Sequence, residues 1–354
     1  MSAAQRAPEK AASAVLVGDI GGTRTRLAIH GPTGHKPLAE MVLPSQEYVS
    51  FDEALERFLG ASSAPYPSLC VLAVAAPIRD RAAAFTNLPW VIEEHALSRR
   101  FGFRRALLVN DLVAAAQGCL AVRPASLDLL TERAPVRRGQ NLAVIAAGTG
   151  LGEARLIWTG NGHLALPTEG GHRDFAPRNV LEIELLRFLL DRFPEHVSVE
   201  RVLSGSGLGL LYDFFAARSE PEPPEVAARL GQGDRNEAIA SLGLSAGSRP
   251  AAQAVDLFAS IYGAEAGNLA LGELALGGVM ITGSIANQIV RARRALFLGA
   301  FQAKGRFGSL LAAIPVAVVA DPFVNRRGAL AIARALGQGK APGVYNSSGQ
   351  SRPG

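Results

Sequence analysis

Apolar residues along the chain fall into short runs parted by glycines and polar clusters, and the period of those runs changes with position. Continuous runs at 15–19, 25–29, 38–42 and 69–75 predict strands, and the amphipathic spacing at 51–59 predicts a helix. Three strands before that helix imply hairpins ahead of any crossover. Residues 92–100 predict a second helix, after Asn87-Leu-Pro-Trp90. A strand at 106–109 then runs into Asn110-Asp111 and an alanine-rich helix at 112–120. An acid is thus expected to cap a helix at the C-terminal end of a strand, where α/β sheets place their chemistry.

A similar order returns further on. A strand at 142–147 meets Gly148-Thr149-Gly150-Leu-Gly152, a second strand follows at 154–158, a helix is expected over 254–271, and 278–284 reads as another strand leading to a glycine turn before a helix. No short-period repeat is present, which disfavours solenoids and propellers. The recurrence predicts two related α/β halves facing a cleft. Residues 220–235, rich in Pro, Glu and Arg, read as a surface connection holding a short helix. Residues 1–13 are expected to form a disordered leader and 339–354 a disordered tail.

The 354 residues, 48% hydrophobic and 19% charged, suit a two-domain globular protein with a sizeable core. No apolar run reaches the roughly 20 residues that cross a bilayer. The stretch 269–285 comes nearest but is broken by glycines and Glu273. With no signal-like leader, the expected location is the cytoplasm and no membrane partner is expected. Cys70 and Cys119, on a strand-like and a helix-like run, read as buried, inert thiols of a reducing compartment. The net charge of +5 comes from scattered arginines with no basic block, so no nucleic-acid partner is expected, although the excess favours anionic ligands.

Two turns carry candidate chemistry. In Asp19-Ile-Gly-Gly-Thr23 a carboxylate at a strand end is placed to hold Mg²⁺ through water, Gly21 and Gly22 let backbone approach phosphate oxygens, and Thr23 offers a hydroxyl. Taken alone this is equally a hairpin turn. Gly148, Thr149 and Gly150 form a second candidate phosphate turn. Two such turns with an acid between them suggest phosphoryl transfer. There is no Gly-x4-Gly-Lys-Ser/Thr loop and no complete dinucleotide-binding fingerprint.

Seven motifs in one order, Asp19-Ile-Gly-Gly-Thr23, Asn87-Leu-Pro-Trp90, Val109-Asn-Asp111, Gly148-Thr-Gly-Leu-Gly152, Leu166-Pro-Thr-Glu-Gly-Gly-His172, Glu200-Arg-Val-Leu-Ser-Gly205 and Gly278-Val-Met-Ile-Thr-Gly283, resemble the bacterial glucokinase family. The resemblance implies an α/β, two-domain actin-like ATPase (ribonuclease H-like) fold with an interdomain cleft. By it, a small domain spans 14–121 plus 326–338, a large one spans 122–325, and a C-terminal helix at 326–336 returns to the first. It implies ATP and Mg²⁺ as co-substrate and cofactor, and glucose as the sugar phosphorylated on its 6-hydroxyl. Asp111 would be the general base, and Asn87, Asn110, Glu169, His172 and Glu200 would hold the other hydroxyls. Gly278 and Gly283 would let adenosine lie against backbone. The family is often dimeric, so a homodimer is part of the same expectation.

The chain departs from the family pattern at Arg24, Leu88, Ser206 and Glu153. Glu153, where an aliphatic residue is usual, is expected to alter how the second phosphate turn sits. Glu265, Lys304 and Arg306 read as structural or solvated charge. Two alternatives stand beside a glucokinase: a kinase for mannose, fructose or N-acetylglucosamine, and a non-catalytic sugar-binding regulator of the same fold.

Overall fold

The structure, a computed structural model, describes residues 14–341 and 343–344, so the expected leader and the tail beyond Val344 lie outside the described residues. Its contacts divide the chain into two units, Met1–Ala121 with Phe323–Gly354, and Val122–Pro322.

In the first unit β1 (Val15–Ile20), β2 (Arg24–His30) and β3 (Ala39–Pro44) form an antiparallel meander. β4 (Leu69–Val74) then crosses over to lie parallel to β1. The runs of β1 and β4 are continuous because almost every residue in them is buried, whereas β3 at the sheet edge alternates. A small sheet of β5 (Ile78–Arg79), β6 (Ala82–Ala84) and β7 (Val91–Glu93) intervenes before β8 (Arg105–Asn110), giving the main order β3-β2-β1-β4-β8. The helix expected from 92 begins at Glu94 instead, because Val91–Glu93 pairs with β6 and turns only Ile92 inward. Leu88, which departs from the family pattern, is buried two residues from Trp90, whose indole N–H donates to the Tyr48 carbonyl at 3.0 Å.

The helix Asp111–Ala121 packs against the C-terminal helix Val324–Gly337 at a spacing only glycine permits. A Cβ on Gly118 would lie 2.0 Å from the Val324 carbonyl oxygen, and one on Gly328 1.8 Å from that of Ala114. The start of the expected tail is tied down: Lys340 N–H donates to the Ala335 carbonyl, and Gln117 Nε2 donates to the Gly343 carbonyl at 2.6 Å.

The second unit repeats the sheet. β10 (Leu142–Ala147), β11 (Leu151–Trp158) and β12 (His163–Thr168) form the meander, and β13 (Gly278–Thr282) and β14 (Val316–Val319) lie parallel to β10. β9 (Leu127–Leu129) closes the edge antiparallel to β14, for an order β12-β11-β10-β13-β14-β9. The core gathers Phe214, Phe258, Tyr262, Phe297 and Phe301 from helices packed around Arg249–Gly272. The connection at 220–235 contains the short helix Pro224–Leu230.

Candidate active site

In the first unit Ile20 of β1, Val74 of β4 and Asn110 of β8 are in register, so the turn after β1 and the acid after β8 leave the same C-terminal edge of the sheet. Two strand spacings separate them, about 10 Å. The turn at Gly21, Gly22 and Thr23 closes through Gly21 N–H to the Arg24 carbonyl, and Ser45 braces it: its hydroxyl donates to the Gly21 carbonyl at 2.7 Å and meets the Thr25 hydroxyl at 3.0 Å. Arg24 and Thr23 are exposed. Asp19 is paired with Arg26, its cross-strand partner in the hairpin, at 3.1 Å, and accepts from Asn325 at 3.3 Å. Asn87, exposed, lies beside Gly22, whose added Cβ would stand 3.8 Å from that of Asn87.

The helix cap falls one residue earlier than expected. Asn110, not Asp111, caps the helix, its side-chain oxygen accepting from the N–H groups of Leu112 and Val113 at 2.9 and 3.2 Å. Asp111 occupies the first turn, where the helix dipole favours its charged form, and its Oδ1 accepts the Leu112 N–H at 2.9 Å.

In the second unit Gly148, Thr149 and Gly150 form the hairpin turn between β10 and β11, closed by Gly148 N–H to the Gly150 carbonyl at 2.8 Å. The buried Tyr262 hydroxyl receives the Ala147 N–H and fixes the strand end that feeds this turn. Glu200 binds to the same turn: its Oε2 accepts the Leu151 N–H at 2.8 Å and packs where a Cβ on Gly150 would be. A backbone bond from Gly205 N–H to the Gly148 carbonyl, 2.8 Å, makes a second stitch. Ser206 is exposed beside Ser204, which caps the helix Gly205–Ala216. His172 and Glu200 line one recess of about 530 Å³ together with Arg192, Phe193, His196 and Arg201. Glu169 and His172, both exposed, belong to one tight turn, closed by His172 N–H to the Glu169 carbonyl at 3.0 Å.

Gly283, at φ 100°, ends β13 against the Ala147 carbonyl oxygen, next to the Gly148 turn. Gly278 is not brought to that edge. It starts the same strand opposite Leu142, roughly 16 Å away at the rise of a strand, and its φ of 134° serves close packing on Pro315 and Pro135.

Two charged residues read from the sequence prove to be buried. Glu153, the third residue of β11, is fully buried with its carboxylate against Gly170, in the turn that carries Glu169 and His172. Burial, then the charge of Glu265, pushes the Glu153 carboxyl up to about 8, against the pull of Arg173. Glu265 is buried rather than solvated, accepting from Asn268 at 2.8 Å, and burial pulls the Lys304 ammonium down although Glu265 opposes it. Ser45, Arg26, Asn325 and Tyr262 support the site without any local sequence signal; only the Asp19–Arg26 pairing follows from the register of a hairpin.

A profile of the glucokinase family matches residues 16–336. A glucokinase of Nostoc punctiforme is 36% identical over 339 residues, covering 91% of this chain and 99% of that protein. Among solved structures, a glucokinase from an Antarctic psychrotroph superposes with a TM-score of 0.77 at 28% identity, covering 91% of this chain and 98% of its own. The glucokinase of Balamuthia mandrillaris, solved with glucose, shares the fold with a TM-score of 0.75 at 22% identity over 91% of this chain and 94% of its own.

Proposed function

The chain belongs to the glucokinase family, with its actin-like two-domain fold and ATP-dependent glucokinase activity, and on that premise we propose which residues carry the reaction. Asp111 takes the proton of the glucose 6-hydroxyl as O6 attacks the γ-phosphorus of ATP. The bond from that phosphorus to the bridging oxygen breaks, and ADP leaves with glucose 6-phosphate as the other product. The observation that carries this is the register of Ile20, Val74 and Asn110, which sets the Asp19–Thr23 turn and Asp111 on one sheet edge. Phosphoryl transfer asks mainly for positioning and charge stabilisation, and two glycine turns with one base supply the parts.

Asn87 and Asn110 of the first unit and Glu169, His172 and Glu200 of the second hold the remaining hydroxyls. A wrong epimer would leave one of these polar groups unpaired, which is what discriminates between hexoses. Gly21, Gly22, Thr23, Gly148, Thr149 and Gly150 offer backbone and hydroxyl donors to phosphates, and the Gly283 turn faces the adenosine. Asp19 would hold the magnesium of Mg-ATP through water. The fit is one of donor chemistry: among the described residues no three His, Cys, Asp or Glu side chains gather as a metal cage, and magnesium on nucleotide phosphates needs only one or two carboxylates. When bound, the ion neutralises phosphate charge. Arg26 and Asn325 keep the Asp19 carboxylate oriented meanwhile.

Among the described residues no helix is long and apolar enough to cross a membrane. Cys70 and Cys119 are both buried and outside any disulfide, which supports a cytoplasmic location. The test is ADP release from Mg-ATP with glucose, mannose, fructose and N-acetylglucosamine in turn. A kcat/KM for glucose at least tenfold above the others is expected from one unpaired hydroxyl. Equal turnover of mannose and glucose would replace the glucose-specific reading by a general hexokinase.

A further inference from the structure

Glu153, the third residue of β11, lies between its register partners Ile145 of β10 and Thr168 of β12 and is completely buried. Neither carboxylate oxygen finds a hydrogen-bond donor among the described residues. Among the described residues its paired cation is Arg173, whose Nη2 stands at 3.7 Å, beyond hydrogen-bond reach, and the same guanidinium lies 3.9 Å from Glu265 Oε1. Glu265 faces Glu153 from the helix Arg249–Gly272 and is itself held by Asn268, which receives Lys304. Glu273, the remaining carboxylate nearby, is engaged by Arg155 at 3.3 Å. Two buried carboxyls therefore share one half-exposed guanidinium. The donor missing from Glu153 is supplied if one of the pair carries a proton, since a neutral carboxyl donates to its charged neighbour.

The pair abuts an element of the proposed sugar-binding set. A Cβ on Gly170 would stand 1.7 Å from Glu153 Oε2, so the turn from Glu169 to His172 is seated directly on this carboxyl. Gly170 N–H donates to the Thr168 hydroxyl at 3.1 Å, and Arg173 N–H to the Gly170 carbonyl at 3.0 Å, so the cation that touches both acids is the next residue of the same turn.

We propose that Glu153 is a positioning residue for sugar binding: a single proton held between Glu153 and Glu265 keeps the Glu169–His172 turn in place, and loss of that proton weakens glucose binding while leaving the nucleotide turns intact. The inference rests on the reading of Glu169 and His172 as sugar contacts. On deprotonation two buried anions face each other with one cation between them. Repulsion is relieved by moving the exposed turn and Arg173, because the strand and the long helix are fixed in the core. Binding competence then falls with the protonated fraction.

The experiment is calorimetric titration of glucose, without nucleotide, from about pH 6.5 to about pH 9.5 on the full chain. For the parent, the dissociation constant should rise about tenfold for each pH unit above the titration of the pair, since apparent affinity scales with the competent fraction. In Glu153→Gln, a neutral isostere able to donate to Glu265, the rise should vanish. In Glu265→Gln a single anion remains beside Arg173, with no like charge to repel it, so the rise should vanish there too. ADP dissociation constants over the same range should change less than about twofold, because the phosphate turns do not touch the pair. A parent with no alkaline weakening, or a Glu153→Gln protein that keeps the parent's, overturns the proposal. Should Glu153→Gln fail to fold, Glu265→Gln decides, and an alkaline rise like the parent's in that variant is equally fatal. Glu169→Ala serves as the check on the underlying reading: if it binds glucose like the parent, the sugar-site reading fails. If it binds weakly while Glu153→Gln keeps the alkaline rise, only the present inference fails.

Discussion

Glu200 is placed by likeness among the sugar ligands, yet its carboxylate is bonded to the phosphate turn, and the two roles can be separated by substitution. Oε2 takes the Leu151 N–H at 2.8 Å and fills the space beside Gly150. Oε1 remains for a sugar hydroxyl. Replacing Glu200 by Ala removes both, leaving the Leu151 amide without its acceptor and the Gly148–Gly150 turn without its lateral support. A hydrogen bond to a charged group contributes about 1.5–3 kcal/mol, and because Glu200 is only half-buried the lower end applies. That is about tenfold in nucleotide affinity if the turn must be reordered on binding. Glu200→Gln keeps one acceptor oxygen for Leu151 but turns an NH₂ toward the sugar, so it should spare the nucleotide and harm the hexose. In a coupled ADP-release assay with each substrate varied in turn, Glu200→Ala should raise KM for both ATP and glucose by about tenfold or more, and Glu200→Gln should raise only that for glucose. The reasoning fails if Glu200→Ala leaves the ATP KM within twofold of the parent, or if both variants raise it equally.

The glycine contact between the helices Asp111–Ala121 and Val324–Gly337 ties packing to chemistry, since the first of these begins at Asp111, the proposed base. Gly328→Ala puts a Cβ 1.8 Å from the Ala114 carbonyl oxygen, so the helices must part by about 1 Å or more. Stability should fall by about 1–3 kcal/mol and kcat on the order of 10²-fold; calorimetric melting and steady-state rates measure the two, and a parent-like value of either counts against the packing argument. His30 is buried, with no partner for either ring nitrogen among the described residues, and burial, then Arg326 and Arg334, lowers its pKa from 6.5 to about 4. The folded state thus binds fewer protons than the unfolded chain between those values, so stability is full above about pH 6.5 and is lost as pH falls toward about 4, by roughly 3 kcal/mol at most. The melting temperature of the parent should fall relative to that of His30→Leu across that window on acidification; parallel profiles would show that His30 does not titrate there.

The central strands were legible because their burial on both faces writes continuous apolar runs at β1, β4 and β10, and β1 and β10 each end in a glycine turn. Edge and satellite pieces were not: Val91–Glu93 is too short to show a period and merges with the helix after it. Within the site, both phosphate turns and Asn110-Asp111 announce themselves locally. The cap was misplaced by one residue because Asn and Asp are equally good caps, and only the bonds to Leu112 and Val113 choose. Gly278 and Gly283 look alike in sequence as glycines flanking a strand, while their roles differ by the length of that strand. Glu265 and Glu153 had no legible partner at all, since they meet across 112 positions of chain, the difference of their numbers, and neither lies in a local charge pattern.

The most direct test is the turnover of Mg-ATP with glucose by the parent and by Asp111→Asn, alongside glucose binding to both. Asn110 caps the helix, so Asp111→Asn leaves fold and cap intact while removing the base. The account predicts glucose-dependent ADP production in the parent, a fall on the order of 10²–10⁴ in kcat for the variant, and a glucose dissociation constant changed by less than about tenfold. A variant that binds glucose and turns over at the parent rate would contradict it, and would move the proton acceptor to another residue.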